Sequence, residues 1–199
     1  MKLIVGTEST WSLRAWICSQ LAKQKVNIEV IDLSAPNYKA EIYKHSKTGL
    51  VPALTHDDVY VHDSLAIMEY LNECSSKAIL PALAAQRALA RSLCAELHSG
   101  FMQIRMCCPF STQPVQKVTD FSAIETELKR LEAIFESAQL PFMFHEASAV
   151  DAFYAILAYR LESYGIQLKG KAGEYQTSLI QWPLLQSAIE LAFDWNKKA

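Results

Sequence analysis

The feature that most constrains this chain is a change in its hydrophobic period near residue 76. Before that point, short apolar runs of strand length alternate with segments that have helical spacing. From about residue 84 onward no strand pattern remains. The segment between residues 76 and 84 contains Pro81. The sequence therefore predicts an α/β domain over residues 1–76 and an all-α domain over residues 84–199.

The predicted first domain has its strands and helices in a recognisable order. A strand, a helix and a second strand cover residues 2–33. A weakly helical segment then precedes two short strands around Asp57-Asp58, which indicates a hairpin. A last helix starts with Asp63 or Ser64 as its N-cap. This order, β-α-β-α-β-β-α, is the topology of a thioredoxin-like domain.

The predicted second domain contains only helical segments. The first is a single long helix rich in strong helix formers, and the third is nearly apolar, which indicates a buried central helix. Ser148 and Asp151 have the S-x-x-D spacing of a capping box, so we assign both to structure. The segments cover residues 84–108, residues 120–138, residues 148–165 and the chain from Pro183.

Composition excludes several classes of protein. The chain has 19 Lys and Arg against 21 Asp and Glu, with no basic stripe, so we expect no nucleic acid partner. No run of 18 apolar residues is present, and the apolar run at the amino terminus is too short for a signal peptide and lacks a small-residue cleavage site. We therefore expect no membrane association and a cytoplasmic location. The five cysteines show no C-x-x-C or zinc spacing, so we expect reduced thiols and no metal.

The turn between the first strand and the first helix is where a thioredoxin-like domain carries its chemistry. A redox-active member has C-x-x-C here, whereas this chain has Ser9-Thr10-Trp11-Ser12, so disulfide exchange by this turn is excluded. A hydroxyl at a helix N-terminus can donate a hydrogen bond to a bound thiolate, which lowers the pKa of that thiol. Helix capping alone explains the same serines.

Two further motifs have the chemistry of a peptide-binding site. Val51-Pro52 precedes a strand, where proline marks either an edge strand or a cis bond, and a cis bond would expose the Val51 backbone to a peptide-like ligand. Asp63-Ser64 places a carboxylate and a hydroxyl at a helix start. This pair can take an α-ammonium and an α-carboxylate, although capping also explains it.

Read together, these motifs resemble the amino-terminal domain of glutathione transferases. The segments are S-x-W-S-L-R-x-W from Ser9, V-P-A-L from Val51 and D-S-L-A-I-x-E-Y-L from Asp63. They are most similar to a bacterial, serine-type group akin to the zeta class. RALARSLCAELHSGFMQIR and FMFHEASAVDAFYAILAYRLESYGIQL extend the resemblance over nearly the whole chain.

The resemblance implies the glutathione transferase fold and a role for each motif. In that family the first serine of the pattern, here Ser9, activates the glutathione sulfur. The cis-proline motif corresponds to Val51-Pro52, and the γ-glutamyl contacts correspond to Asp63-Ser64. The implied glutathione-binding residues are Ser9, Trp11, Lys47, Val51, Pro52, Asp63 and Ser64.

One departure from the pattern concerns the charge near the cis-proline motif. Members of this group usually carry a basic residue between the glycine and Val51-Pro52, and this chain has Leu50. Lys47 lies three residues upstream and is the candidate replacement. Without a basic residue near Val51-Pro52, a charge-assisted contact to the glycyl carboxylate of glutathione would be missing.

The second substrate is expected in an apolar pocket of the helical domain. Gly100 within a predicted helix costs about 1 kcal/mol relative to alanine, which indicates close packing or a ligand. A lone histidine on such a helix is more often structural than functional. By family analogy, the residues near the electrophile are Trp11, His98, Phe101, Met102 and Arg105.

The leading hypothesis is a glutathione S-transferase acting in detoxification, with glutathione as co-substrate and a small hydrophobic electrophile. A glutathione-dependent isomerase of the maleylacetoacetate type and a non-catalytic, transferase-like binding or regulatory protein remain alternatives. Thiol reduction of the omega type requires cysteine in place of Ser9. The family resemblance also implies a homodimer.

Overall fold

The computed structural model describes residues 1–76 and 78–197. The chain forms two compact units. The first contains residues 1–79 together with the chain from Ser187 onward, and the second contains residues 80–186. The residues from Ser187, which the sequence grouped with the helical domain, thus cluster with the α/β unit.

The first unit contains a four-stranded sheet. Strand β1 pairs in parallel with β2, β3 is antiparallel to β1, and β4 is antiparallel to β3, so the spatial order is β2-β1-β3-β4. The hairpin predicted around Asp57-Asp58 joins β3 to β4, and Asp57 has a positive φ of 51°. The strands are β1 (Lys2–Gly6), β2 (Asn27–Ile31), β3 (Ala53–His56) and β4 (Val59–His62).

The helices of this unit complete the predicted order. They are α1 (Thr10–Leu21), α2 (Tyr38–Tyr43) and α3 (Ser64–Cys74). The observed sequence of elements is β-α-β-α-β-β-α, so the predicted thioredoxin-like topology is confirmed. Asp63, the first of the two predicted candidates, is the N-cap of α3.

The two faces of the sheet are covered differently. Helices α1 and α3 pack against each other, with α1 also contacting β1 and α3 contacting β3. On the other face, Ile42 of the short helix α2 packs into a buried cluster with Ile4, Ile31 and Ala53. Since side chains alternate along a strand, Leu3 and Leu54 face the α1 and α3 side.

The second unit is helical. Its elements are α4 (Ala84–Ser99), α5 (Met102–Cys107), α6 (Glu125–Glu136), α7 (Ala149–Ser163) and α8 (Gly170–Gln181). A last helix, α9 (Pro183–Lys197), begins in this unit and continues into the residues grouped with the first. In the described part of the chain, no helix is long and apolar enough to cross a membrane.

The prediction of a single helix over residues 84–108 is wrong. Helix α4 ends at Ser99, Gly100 is its C-cap, and Phe101 has a positive φ of 57° before α5 begins. The break is stabilised because Glu127 accepts hydrogen bonds from Gln103 N and Ile104 N, at 3.2 and 2.8 Å. The low helix propensity of glycine therefore decides the local structure here, against the strong helix formers on either side.

The segment that forms α8 was not among the predicted helices. It contains Gly170 and Gly173, which weaken the helical signal. Its helix is stabilised by tertiary contacts, since Tyr175 is buried and its ring packs edge-to-face on Phe135 at 4.8 Å between centroids.

Helix α7 is the buried central helix that the apolar sequence predicts. Asp151, fully buried in its first turn, accepts hydrogen bonds from Ser148 N and Ser148 Oγ at 2.8 and 2.9 Å. It also accepts from Met143 N at 2.9 Å and from Tyr175 Oη at 2.7 Å. Burial raises the pKa of this carboxyl, and the four donors oppose that effect. One side chain thus joins the start of α7 to the preceding loop and to α8.

We predict that Asp151→Ala lowers the free energy of unfolding by at least about 3 kcal/mol, because it leaves several buried donors without an acceptor. Tyr175→Phe removes one of the four hydrogen bonds and should cost about 1–2 kcal/mol. Urea unfolding of both variants measures this. An Asp151→Ala protein as stable as Tyr175→Phe would show that the carboxylate does not organise this region.

Candidate functional site

The predicted chemistry of the first turn depends on Ser9, which is the N-cap of α1. Its backbone is extended, with φ −83° and ψ 104°, and its Oγ accepts a hydrogen bond from Ser12 N at 3.2 Å. The side chain is buried, with 7% of its surface exposed. Capping therefore does occur, as the simpler interpretation of this serine predicts.

A second serine, Ser12, determines whether the Ser9 hydroxyl acts as a donor or an acceptor toward a ligand. Gly6 N donates to Ser12 Oγ at 3.2 Å, and Ser12 Oγ donates to Ser9 Oγ at 3.0 Å. Ser9 Oγ therefore accepts twice, from Ser12 N and Ser12 Oγ, and keeps its own proton for donation. Two donors on one oxygen polarise its O–H bond, so this hydroxyl is suited to an anionic acceptor.

Ser12 was not among the predicted site residues. It was noted only as a possible cap, and its side chain is completely buried. The signal in the sequence is the spacing of three residues between two serines at a helix start, which places the second hydroxyl near the first. That spacing does not reveal Gly6 N, which donates to Ser12 Oγ.

The Val51-Pro52 peptide bond is cis. Of the two interpretations that the sequence left open for Pro52, an edge strand or a cis bond, the cis bond is confirmed. The loop packs closely on the strand before Ser9, since a Cβ on Gly6 would lie 2.9 Å from Val51 Cγ2. Gly6 thus contacts two of the predicted motifs. Its N–H donates to Ser12 in the turn that contains Ser9, and its Cα, which carries no side chain, lies against Val51.

The start of α3 contains a buried hydroxyl that lacks a partner. Asp63 has a positive φ of 75°, and its Oδ1 accepts from Leu65 N at 2.8 Å and Ala66 N at 3.4 Å. Ser64 has no exposed surface, and no described residue forms a hydrogen bond with its Oγ. An unpaired buried hydroxyl is costly, so its retention at a helix N-terminus indicates a place for a polar or anionic group.

Strand direction brings these three motifs together. Strand β4 runs parallel to β1, because each is antiparallel to β3. Helix α1 follows the end of β1, α3 follows the end of β4, and the cis proline immediately precedes β3. All three therefore lie at one edge of the sheet, where two helix N-termini and an irregular backbone segment meet.

Two other residues predicted for this site, Trp11 and Lys47, lie in different elements of the first unit. Trp11, in the first turn of α1, is half-buried and its ring lies 5.8 Å from Arg14 Cζ. Lys47, in the loop between α2 and β3, is exposed and lines a cavity with Tyr60 and His62 of the hairpin. Leu50, where a basic residue was expected, is 64% exposed.

The residues predicted for the electrophile pocket belong to different units. Trp11 lies in the first unit, and the other four lie around the α4–α5 break in the second. Phe101 is buried against Tyr154, with ring centroids 6.4 Å apart, while Met102 is exposed. His98 is half-buried in the last turn of α4. The sequence placed the last four on one continuous helix, whereas the structure has His98 on α4, Phe101 in the turn, and Met102 and Arg105 on α5.

Arg105 and an unpredicted residue, Arg160, form a cationic pair beside this break. Arg105 Nη2 donates to the carbonyls of Leu97 and His98. Burial and the charge of Arg105 lower the pKa of Arg160 to about 10. Burial also lowers the pKa of Arg105, with Glu127 opposing that effect. The sequence gives no signal for this pairing, because 55 residues separate the two arginines.

Comparison with known proteins finds similar sequences and similar folds. Residues 8–74 match the family described as "Glutathione S-transferase, N-terminal domain". A glutathione transferase homologue from Burkholderia (strain BGR1), solved with bound glutathione, is 25% identical with a TM-score of 0.72, covering 97% of each chain. A maleylacetoacetate isomerase from Methylobacterium extorquens AM1, solved with malonate and glutathione, has a TM-score of 0.73 at 20% identity, covering 96% of this chain and 97% of the other.

A curated relative carries a different kind of name. The stringent starvation protein A homologue of Coxiella burnetii is 24% identical over 155 residues, which are 77% of this chain and 73% of the relative.

We predict that Ser12→Ala lowers the free energy of unfolding by about 1–3 kcal/mol, because the buried Gly6 N–H loses its acceptor. Ser19→Ala is the matched control on the same helix. Ser19 Oγ donates to the Trp16 carbonyl at 2.7 Å and accepts from the exposed Gln20 side chain at 3.1 Å. Its loss leaves no buried backbone N–H without an acceptor, so it should cost less than about 1 kcal/mol. Equal effects of the two substitutions in thermal unfolding would argue against the hydrogen-bond order described above.

Proposed function

We propose that this chain binds glutathione at the edge of the sheet that carries Ser9 and uses the glutathione sulfur as a thiolate nucleophile. The match of residues 8–74 to the amino-terminal domain of glutathione S-transferases and the similarity of the whole chain to solved structures of that fold support the proposal. The observation that carries the proposal is the meeting of three polar motifs at one sheet edge. The bound glutathione of the Burkholderia homologue supports the choice of ligand.

Ser9 is proposed to hold the sulfur. Its hydroxyl accepts two hydrogen bonds within the protein and has one proton to donate, so it would favour the thiolate over the thiol. A hydrogen bond to a charged group contributes about 1.5–3 kcal/mol, which corresponds to a thiol pKa lower by about 1–2 pH units. The partial positive charge at the start of α1 acts in the same direction.

The other two motifs are proposed to hold the peptide part of glutathione. The Ser64 hydroxyl and the positive end of the α3 dipole suit the γ-glutamyl carboxylate, and the Asp63 carboxylate suits its ammonium. The Val51 backbone beside the cis bond would pair with the cysteinyl amide. Lys47, on its exposed loop, would approach the glycyl carboxylate, and Trp11 would lie near the sulfur.

The electrophile is proposed to be a small hydrophobic molecule bound near Trp11, His98, Phe101, Met102 and Arg105. Attack by the thiolate would form a thioether by addition or substitution, while addition followed by elimination would give the glutathione-dependent isomerisation named above. A cytoplasmic homodimer acting in detoxification completes this proposal by family analogy.

A second candidate function is a non-catalytic binding or regulatory protein. The curated relative favours it, because its name refers to stringent starvation rather than to transfer. Leu50 in place of a basic residue points the same way, since it removes a charge from the loop beside Val51. Calorimetry with glutathione, followed by assays with aryl halides, organic peroxides and maleyl compounds, separates the two candidates: binding with turnover supports the enzyme, and lack of binding supports the regulator.

We predict that Ser9→Ala raises the pKa of the bound glutathione thiol by about 1–2 pH units, because the thiolate loses its hydrogen-bond donor. Ultraviolet absorbance of the bound thiolate, titrated with pH, measures this. Ser64→Ala is the control, since it should weaken binding without moving that titration. An unchanged titration in Ser9→Ala would exclude serine activation of the sulfur.

We also predict that Ser64→Ala leaves the stability of the ligand-free protein unchanged or slightly higher, because the hydroxyl that it removes is buried without a partner. The same substitution should weaken glutathione binding about 10- to 150-fold, the loss of one charge-assisted hydrogen bond. Ser19→Ala, also buried but on the far part of α1, should leave affinity unchanged. Destabilisation together with unaltered affinity would mean that Ser64 has a structural role instead.

A further inference from the structure

The break between α4 and α5, at Gly100 and Phe101, is bonded to a neighbouring helix of the same unit. On α6, the half-buried Glu127 carboxylate accepts from Gln103 N at 3.2 Å and from Ile104 N at 2.8 Å. The first N–H groups of a helix have no partner within the helix, so these two depend on an outside acceptor. Glu127 therefore fixes the start of α5, directly after the break.

The same face of α6 is bonded to the other side of the break. Arg130 follows Glu127 by three residues, a spacing that places both side chains on one helix face. Its Nε and Nη2 donate to the two carboxylate oxygens of Glu96 on α4, at 2.6 and 2.8 Å. Glu96 lies in the last turn of α4, and its carbonyl accepts from Gly100 N at 2.8 Å. We call Glu127 and Arg130 the α6 clamp.

Hydrogen bonds matter more for the position of α5 than apolar packing does. The helix has six residues, and one of them, Ile104, is buried. Met102 and Met106 are 51% and 60% exposed. A short helix with so little buried apolar surface gains little from burial, so its place depends on the bonds at its start.

The backbone at the break is held in a conformation that it would not adopt alone. Phe101 has a φ of 57°, in the left-handed region that is unfavourable for a residue with a bulky side chain. Such a conformation persists where the surrounding structure determines it. The Phe101 ring is buried against Tyr154, and the α6 clamp bonds to the helices on either side.

Arg105 connects the clamp to the residues of the proposed electrophile pocket. Its Nη2 donates to the carbonyls of Leu97 and His98 at the end of α4. The negative charge of Glu127 opposes the lowering of its pKa by burial. The orientation of this guanidinium therefore depends on α4 and on the clamp together.

We propose that the α6 clamp determines the size of the electrophile that this protein accepts. Glu127 and Arg130 are positioning residues, which act by fixing the angle between α4 and α5 rather than by touching the ligand. The pocket residues whose places depend on that angle are His98, Phe101, Met102 and Arg105. The inference rests on the proposed function, because the pocket is part of that proposal.

Binding of glutathione, S-methylglutathione and S-hexylglutathione to the full chain, measured by calorimetry, tests the inference without requiring turnover. The three probes share the glutathione part and differ in the group on the sulfur, which would lie in the proposed pocket. S-Hexylglutathione should bind at least about tenfold more tightly than S-methylglutathione, because five further methylene groups leave water. The ratio of these two affinities measures the pocket alone.

Substitutions in the clamp should change that ratio and leave glutathione itself unaffected. Glu127→Ala and Arg130→Met should each lower the ratio at least about threefold, because α5 is no longer pre-organised against the hexyl chain. Glu125→Ala and Lys129→Met are the matched controls on the same helix. Their side chains pair with each other at 2.6 Å on its exposed side, so the ratio should stay as in the wild type.

Two further measurements separate positioning from a general loss of stability. Amide hydrogen exchange at Gln103 and Ile104 should become faster in Glu127→Ala and stay unchanged in Glu125→Ala. Glu127→Gln keeps one carbonyl oxygen as an acceptor, so its ratio should lie between those of the wild type and Glu127→Ala. A purely structural role would lower the free energy of unfolding without changing the ratio.

The results that would overturn this inference differ from those that would contradict the proposed function. Equal ratios in the clamp variants and the controls would overturn the inference alone, as would a wild type that binds glutathione but does not favour the hexyl chain. A wild type that binds none of the three probes would contradict the proposed function, and the inference with it. Circular dichroism confirms folding, and Glu127→Gln provides the test if Glu127→Ala is unfolded.

Discussion

The direction of the strands is the constraint on which the candidate site depends. Because β4 runs parallel to β1 while β3 runs against both, the chain leaves β1, enters β3 and leaves β4 at the same edge of the sheet. Each of those three crossings places a helix start or irregular backbone there: the starts of α1 and α3, and one cis peptide bond. A ligand with several polar groups can meet all of them at once, which no single motif allows.

The two serines at this edge, Ser9 and Ser64, differ in their hydrogen bonding within the protein. Ser9 has its lone pairs occupied by the N–H and hydroxyl of Ser12, so it is left as a donor. Ser64 is buried without any hydrogen bond in the described structure, so it is left needing one. The first arrangement suits stabilisation of charge on a reacting atom, and the second suits recognition of a fixed polar group. Because of this difference, we expect Ser9→Ala to affect activation of the sulfur and Ser64→Ala to affect binding.

The unequal covering of the sheet has a second consequence. Helices α1 and α3 pack together on one face, whereas the six-residue helix α2 covers only part of the other. The residues that line the uncovered part include two tyrosines, two lysines and two histidines. The sheet thus has a candidate site at one edge and, separately, a partly uncovered face.

The sequence by itself determined the order of elements in the first unit, the hairpin, the buried helix α7 and the polar motifs, because each of these follows from local spacing, capping or turn chemistry. It could not predict the break at Gly100, since strong helix formers surround that residue and the Glu127 carboxylate that caps α5 is more than 20 residues away. Nor could it show that Ser12 orients Ser9 or that Ser64 lacks a partner. Those properties depend on which groups meet across the fold, and only the tertiary structure decides that.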